Sequence, residues 1–460
     1  ADNNFTGGIF DIAISNINPL TTITGTNTSI DGRTQTAYSG NTNSGTIGSG
    51  GNTVGTSASI LPVYDLPEIQ VHRNNGDVIK TSGSDVVIRN LSIYADDNAA
   101  VRIDGGAVTV SNNLLGVNAI GASDGNVKYG VEMVDGTSTI EGNYIAMNDE
   151  AGIWVNGGFS TLIQNNHLTA NGSGPCDDNI LTDAGTGIVI QRNLIELAAG
   201  LGIDGDGVSE NLTITENTII GSGQNGAPCG GFIENAGIRL EGDNSSITNN
   251  IIASNVGSGI VLAGGNTTGN LISQNSIYAN GIGASALGID IDRSNAMGDG
   301  ITINDLADSD NGPNGAINFP VITSSLVSGT TLIVRGWSRP GATIEWFLTD
   351  VNEGTAVVGD NQLGLSTDYG EGQTYLGSAV EGSGTDLDSS SSSYTDLDGN
   401  TDTTNKFHFI ITLPPSTVVG DFVTSTATIG NSTSEFSPFS ILKTPTVITN
   451  RRITYRVKKD

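Results

Sequence analysis

One short phrase recurs through the middle of this chain and leaves few folds open to it. An apolar residue, two variable residues and an asparagine appear at Val87–Asn90, Val110–Asn113, Ile140–Asn143, Ile163–Asn166, Ile190–Asn193, Ile214–Asn217, Ile247–Asn250 and Ile272–Asn275. The steps between successive asparagines are 23, 30, 23, 27, 24, 33 and 25 residues. A second phrase interleaves with the first: "YGVEM" from Tyr129, "AGIWV" from Ala151, "AGIRL" from Ala236, "SGIVL" from Ser258 and "LGIDI" from Leu287. Each unit therefore carries two short period-2 strands separated by turns. Strands this short cannot bury an apolar face alone, so successive units must stack and share one core. The repeat predicts an all-β protein built on a right-handed parallel β-helix, with coils about 4.8 Å apart. Stacking also predicts that asparagines 90, 113, 143, 166, 193, 217, 250 and 275 form one column, at a bend where Asn accepts a left-handed backbone.

Composition agrees with this reading. The 460 residues include 64 glycines, with only 5% aromatic and 14% charged side chains, a mixture suited to many strands and tight turns. The formal charge of −30 excludes nucleic acid and anionic membrane as natural partners. No stretch has the length and apolarity of a membrane-spanning helix, and the first residues, Ala1-Asp2-Asn3-Asn4, suggest a processed or excised part of a longer polypeptide.

The repeat divides the chain. Residues 1–85 alternate without a clean period and read as atypical, capping coils, with Gly45–Ser57 as a flexible loop; residues 86–300 are the regular coils. Residues 301–319 form an acidic exit cap and linker. Alternating strands with turn signals then predict an antiparallel, immunoglobulin-like β-sandwich over 320–440, carrying Trp337 and Trp346. Residues 441–460 form a basic connector, with Arg451, Arg452, Arg456, Lys458 and Lys459 near its end.

Taken in order, "SIDGRTQTAY", the Asn units, "LGIDID", "NDLADSDNGPNGAINFPVI", "YGEGQTYLG" and "STSEFSP" resemble a family of large exported bacterial surface proteins. In that family a parallel β-helix precedes a β-sandwich and often further modules. The resemblance implies secretion, through the type IX pathway in some members, and a place at the cell surface as an adhesin or stalk. It supplies no activity of its own.

Parallel β-helices also include enzymes that cleave polysaccharides, so a catalytic face was sought. The outward position of the second phrase predicts a surface column of Arg102, Glu132, Trp154, Asp204, Arg239, Val261 and Asp290. Within it Trp154 would serve as a stacking platform for sugar, with Asp204 and Arg239 beside it as a base and a cation. The plainer reading of those two is an exposed salt bridge between coils. Asp177 and Asp178 are adjacent acids, but no Gly-His-Gly or Arg-Ile-Lys phrase accompanies them. Only nine Lys or Arg residues precede position 319, too few to hold a polyanionic substrate. His72, His167 and His408 lie in separate segments outside any nucleophile signature, and His167 alternates outward as an ordinary surface residue. The expected function is thus a non-catalytic adhesin or stalk that meets an extracellular glycan or surface protein. A polysaccharide lyase or glycoside hydrolase on the helix face is the alternative.

Two further expectations concern covalent and metal chemistry. Cys176 and Cys229 each follow a proline in long turn insertions two coils apart, and export would favour a disulfide between them. Asn304, Asp305, Asp308 and Asp310 crowd the exit segment, and Asp396, Asp398, Asn400 and Asp402 alternate through a polar loop. Both sets offer the oxygen donors that Ca2+ takes, although Gly399 does not stand at the sixth loop position.

Overall fold

A computed structural model describes residues 4–445 except 96, 124–126, 208, 231–233, 283–285, 294–299 and 350–364. The basic residues near the end of the chain lie outside the described residues. The protein is all-β: a right-handed parallel β-helix followed by a sandwich of two antiparallel sheets.

The β-helix has three faces. One is an 11-stranded sheet of short strands such as Tyr144–Ala146, His167–Thr169 and Leu194–Glu196. The other two faces fuse into a 16-stranded sheet, because Ala99–Ser111 and Tyr129–Glu141, 13 residues each, run without a break around the corner between them. Residues pair in register from coil to coil. Val110, Ile140, Ile163, Ile190, Ile214, Ile247 and Ile272 stack inward in one line, and none is more than 3% exposed. The regularity has an energetic basis, since a slip of one residue would turn a whole line of isoleucines to solvent.

Asparagines stack at the corner that follows these isoleucines. The Nδ2 of Asn113, Asn143, Asn166, Asn193, Asn217 and Asn250 each donates to Oδ1 of the asparagine one coil on, at 2.9–3.2 Å. Each Oδ1 also accepts a backbone N–H from the preceding coil, as in Asn143 N–H to Asn166 Oδ1 at 2.9 Å. The column residue's own N–H finds a side-chain carbonyl here where its neighbours find backbone carbonyls, so the buried amides complete the pairing at the bend. Asn90 is the exception. Ile88, not Val87, pairs with Val110, so Leu91 occupies the column position and Asn90 precedes it. The left-handed residue likewise precedes the column: Asn112, Asn165, Arg192, Glu216, Asn249 and Gln274 have φ of 53–56°. The column asparagines are thus selected for hydrogen bonding and not for backbone conformation.

A second corner carries its own amide stack, five residues further along the coil. Asn148 Nδ2 donates to Asn171 Oδ1 at 2.7 Å, and Asn255 Nδ2 to Asn280 Oδ1 at 2.8 Å, with Ala198 and Ser222 at the corner position in the two intervening coils. At the final coil the acceptors come from the sandwich. Glu371 Oε1 receives Asn280 Nδ2 at 2.8 Å, Glu435 Oε1 receives Ile291 N–H at 2.9 Å, and Glu345 Oε2 receives Gln274 N–H at 3.0 Å. Phe347 and Phe436 insert into the same core as the helix isoleucines. The sandwich therefore caps the solenoid with both apolar and hydrogen-bonding groups. Its own core is built on Trp346, Leu332, Val334, Phe407, Phe409 and Val423.

The segment expected to be a flexible loop is instead a strap laid along the 11-stranded face. Two small hairpins, Thr46–Ile47 with Tyr64–Asp65 and Thr53–Val54 with Ser59–Ile60, give it shape. It is pinned by Asn43 Nδ2 to Ala119 O at 2.9 Å, Tyr64 OH to Asn165 O at 3.0 Å, Gly55 N–H to Thr218 Oγ1 at 3.0 Å and Thr56 N–H to Asn249 O at 3.0 Å. These bonds span several coils, which explains why local composition suggested flexibility.

Candidate functional site

One face of the 16-stranded sheet, which follows the 11-stranded face across the second asparagine corner, carries a line of charged and aromatic side chains. Its outward line reads Arg102, Glu132, Trp154, Leu181, Asp204, Arg239, Val261 and Asp290, each paired with the next. The column expected from the sequence is present with one insertion. Leu181 separates Trp154 from Asp204, so the aromatic platform and the acid–base pair stand two coils apart.

The first part of the line is a closed ion network. Arg102 reaches Glu132 at 2.6 Å and Asp104 at 2.8 Å, while Lys80 holds the other oxygen of Asp104 at 2.9 Å. Next comes an aromatic ledge. The rings of Tyr129 and Trp154 lie 4.8 Å apart with a 36° tilt, and Trp154 Nε1–H donates to Asp183 Oδ2 at 2.8 Å. Tyr129 OH bonds to Glu150, itself paired with Lys128 at 2.8 Å. Both rings are half-buried, each with an apolar surface and a fixed polar rim.

Beyond Leu181 the carboxylates gather around a single cation. Arg239 meets Asp204 at 3.4 Å and Glu234 at 3.3 Å through Nη1, and Glu241 through Nη2. The expected exposed salt bridge is in fact largely buried, with side-chain exposures of 15% for Arg239 and 7% for Asp204. The cause is the pair of insertions that carry the cysteines. Cys176 and Cys229 are disulfide-bonded, with Cα atoms 5.1 Å apart, and the insertions they join bring in Asp178 and Glu234. Asp178 is almost fully buried, and its Oδ1 accepts Leu201 N–H at 2.6 Å. Burial raises its pKa well above the ordinary carboxyl value, and the nearby Asp204 and Glu234 raise it further. Asp204 is pushed up to about 8, mainly by burial, against the opposing pull of Arg239. Glu234 is raised for the same reason, with Arg239 again opposing. Buried carboxyls that hold a proton near neutrality occur in acid–base sites, and buried ion-pair networks raise carboxyl pKa values in the same way. Asp178 and Glu234 were absent from the expected column because both lie in insertions, outside the repeat.

His167 departs from its expected surface role. Its side chain does point outward, but the strap covers it and leaves 3% exposure. Nδ1 accepts Ser49 N–H at 3.1 Å, Nε2 meets Glu196 at 2.8 Å, and the Tyr144 and Tyr64 rings pack beside it.

Of the oxygen-rich loops, the exit segment brings Asp305, Asp308 and Asp310 within 4.8 Å of one another. Two cations flank them, Arg339 at 3.6 Å from Asp308 and Arg293 at 2.9 Å from Asp310. Asn304 turns inward, where its Nδ2 donates to Phe319 O at 2.8 Å and Tyr394 OH at 2.9 Å. In the second loop Asp396 Oδ1 accepts the N–H of Asp398 and of Asn400, while Asp398 Oδ1 accepts that of Ser366. Asn400 Oδ1 accepts Asn304 N–H at 2.9 Å, and Asp402 Oδ1 accepts Ala307 N–H at 2.9 Å. Asn400 and Asp402 thus tie the loop to the exit segment, while Asp396 and Asp398 hold the loop itself.

Comparison with known proteins matches the right-handed β-helix region over residues 76–231. Among solved structures, the enzymatically active domain of tailspike protein 2 from bacteriophage CBA120 is 12% identical with a TM-score of 0.30, covering 79% of this chain and 64% of that one. Tailspike protein gp49 from the Acinetobacter baumannii bacteriophage Fri1, a capsular polysaccharide depolymerase, is 11% identical with a TM-score of 0.28, covering 80% and 79%. The chain thus spans less than two thirds of the CBA120 protein's length.

Proposed function

We propose that this chain is a non-catalytic, glycan-binding β-helix segment of an exported surface protein, acting as a rigid adhesin or stalk. The observation that carries the reading is the Tyr129–Trp154 ledge: two half-buried rings, held by Asp183 and Glu150, standing on a rigid face. An aromatic surface with a polar rim suits a sugar ring, which presents C–H groups on its faces and hydroxyls at its edge. Arg239 supports the absence of turnover, since three carboxylates already occupy it and leave it little freedom to engage an anionic substrate. A glycan array probed with the wild-type protein and Trp154→Ala tests the reading. Glycan binding lost in the variant supports it, and binding equal in both overturns it.

A second reading, glycoside hydrolysis or elimination, is favoured by one observation, the burial of two carboxyls, Asp178 and Asp204, on one face of the helix. There the protonated carboxyl would be the general acid. Release of reducing ends or unsaturated products, abolished in Asp204→Asn, would replace the first reading with this one.

Three further features belong to the proposal. The setting is secreted and at the cell surface, with a surface protein or further modules of the same polypeptide as additional partners. The disulfide suits an oxidising compartment, and among the described residues no helix is long and apolar enough to cross a membrane. Calcium is assigned to Asp305, Asp308 and Asp310, where it would relieve the repulsion of three carboxylates at the junction. Melting temperature should rise in millimolar Ca2+ and fall with chelator, and equal melting in both removes the assignment.

A further inference from the structure

At the end of the 11-stranded face, the tip of the strap stops short of the sandwich and leaves a cleft of about 470 Å³. We infer that this cleft is a second binding site, for an uncharged oligosaccharide. One wall is the strap, with Thr53 and Thr56; the floor is the last coils, with Asn249 and Gln274; the other wall is the sandwich strand, with Thr374 and Tyr375.

Three properties lead to that ligand class. The first is charge. None of the residues lining the cleft is ionisable near neutrality, in a protein whose formal charge is −30. A charged ligand would be taken from water without a partner and at a cost, whereas a neutral one would not. The second is the kind of polar group. Threonine hydroxyls and the amides of Asn249 and Gln274 can each donate and accept, as sugar hydroxyls do, and Tyr375 and Ile251 add the apolar surface that sugar C–H groups need. The third is rigidity. The strap wall is fixed by Gly55 N–H to Thr218 Oγ1 at 3.0 Å and Thr56 N–H to Asn249 O at 3.0 Å. The sandwich wall is fixed by Ser276 Oγ to Gln373 O at 2.7 Å and Ile277 N–H to Gly372 O at 2.9 Å. The cleft therefore exists before any ligand arrives, and its volume falls among small-ligand sites, roughly 300–1,000 Å³. Gln274 also keeps a left-handed backbone, φ 56°, at the floor of the cleft.

The site stands apart from the ledge and does not depend on it. Isothermal titration of the whole chain with cellohexaose, maltohexaose and mannohexaose, and with hexagalacturonate as the charged comparator, tests it. At least one neutral hexasaccharide should bind saturably, with a Kd that changes less than about twofold in about 0.5 M NaCl, because no charge is involved. Thr56→Trp, which fills the cleft from an exposed position, should weaken that binding by about tenfold or more. Gln274→Ala should also weaken it, while Trp154→Ala should leave it within about twofold. Unchanged melting shows that each variant is folded. The inference is overturned if no neutral hexasaccharide binds, if only hexagalacturonate binds, if both cleft variants bind as wild type, or if binding disappears with Trp154 instead.

Discussion

Two outward-facing lines of side chains climb the same solenoid on different faces, and they have opposite fates. On the 11-stranded face, Tyr144, His167, Leu194 and Thr218 pair in register and are covered by the strap. On the long sheet, Trp154, Leu181, Asp204 and Arg239 pair in the same way, yet they are shielded only by their own neighbours and by the cysteine-linked insertions. The backbone geometry is shared, so the difference comes from what lies on top. A line that meets another segment can be apolar or aromatic, with its few polar atoms satisfied across the interface. A line that meets solvent at its edges can keep charges, but partial burial then forces them to pair or to hold protons.

The largest test of this contrast removes Arg239, the one cation that pairs with the acidic cluster among the described residues. Arg239→Ala leaves Asp204, Glu234 and Glu241 facing one another in a largely buried site, and should destabilise by about 3–5 kcal/mol in urea unfolding. A change below about 1 kcal/mol would mean that the cluster is far better solvated than its burial indicates.

Next in size is the clamp that creates this burial. Cys176→Ser with Cys229→Ser should cost roughly 2–4 kcal/mol. Thiol titration of unreduced, denatured wild type should find no free cysteine.

On the strapped face the corresponding probe is His167→Leu, which deprives Ser49 N–H and Glu196 of a partner while keeping an apolar body. A loss of about 1–3 kcal/mol is expected, with faster proteolysis within 45–66 as a sign that the strap lifts. Equal proteolysis would show that the other strap contacts suffice.

The last test is the pH dependence of the acidic cluster. Asp204 ionises near 3.8 when unfolded and at about 8 when folded, so between these values the folded state holds the extra proton. Stability contributed by that proton is complete below the lower value and is lost as pH rises through the window, by up to about 1.4 kcal/mol per pH unit. Asp204→Asn should flatten this slope in urea titrations between pH 5 and about 7.5. A slope that persists in Asp204→Asn would assign the proton to Asp178 or Glu234.

Much of this architecture could be read before any coordinates. Apolar periodicity located the coils, and outward alternation placed Trp154, Asp204 and Arg239 in one line, because a two-residue period leaves little choice of side. The same logic misplaced Asn90 by one residue, since "VVIRN" offers two apolar residues as the inward one and only pairing with Val110 selects Ile88. The second amide corner was legible too: Asn143 and Asn148, Asn166 and Asn171, Asn250 and Asn255, and Asn275 and Asn280 repeat a five-residue spacing. Ala198 and Ser222 interrupt that spacing and leave it without a continuous period.

What the sequence determined by itself was the local period, and with it the stacking of coils, the inward isoleucines and the asparagine corner. Those features depend on contacts between equivalent residues of adjacent coils, which a repeat specifies completely. Tertiary structure alone decided three others: the burial of His167 under the strap, the approach of Asp178 to Asp204 and of Glu234 to Arg239, and the capping of the last coil by Glu345, Glu371 and Glu435. Each joins the repeat to a segment outside it. No period runs through such a pairing, and its register is set by how hydrogen bonds and apolar surface are satisfied over the whole fold.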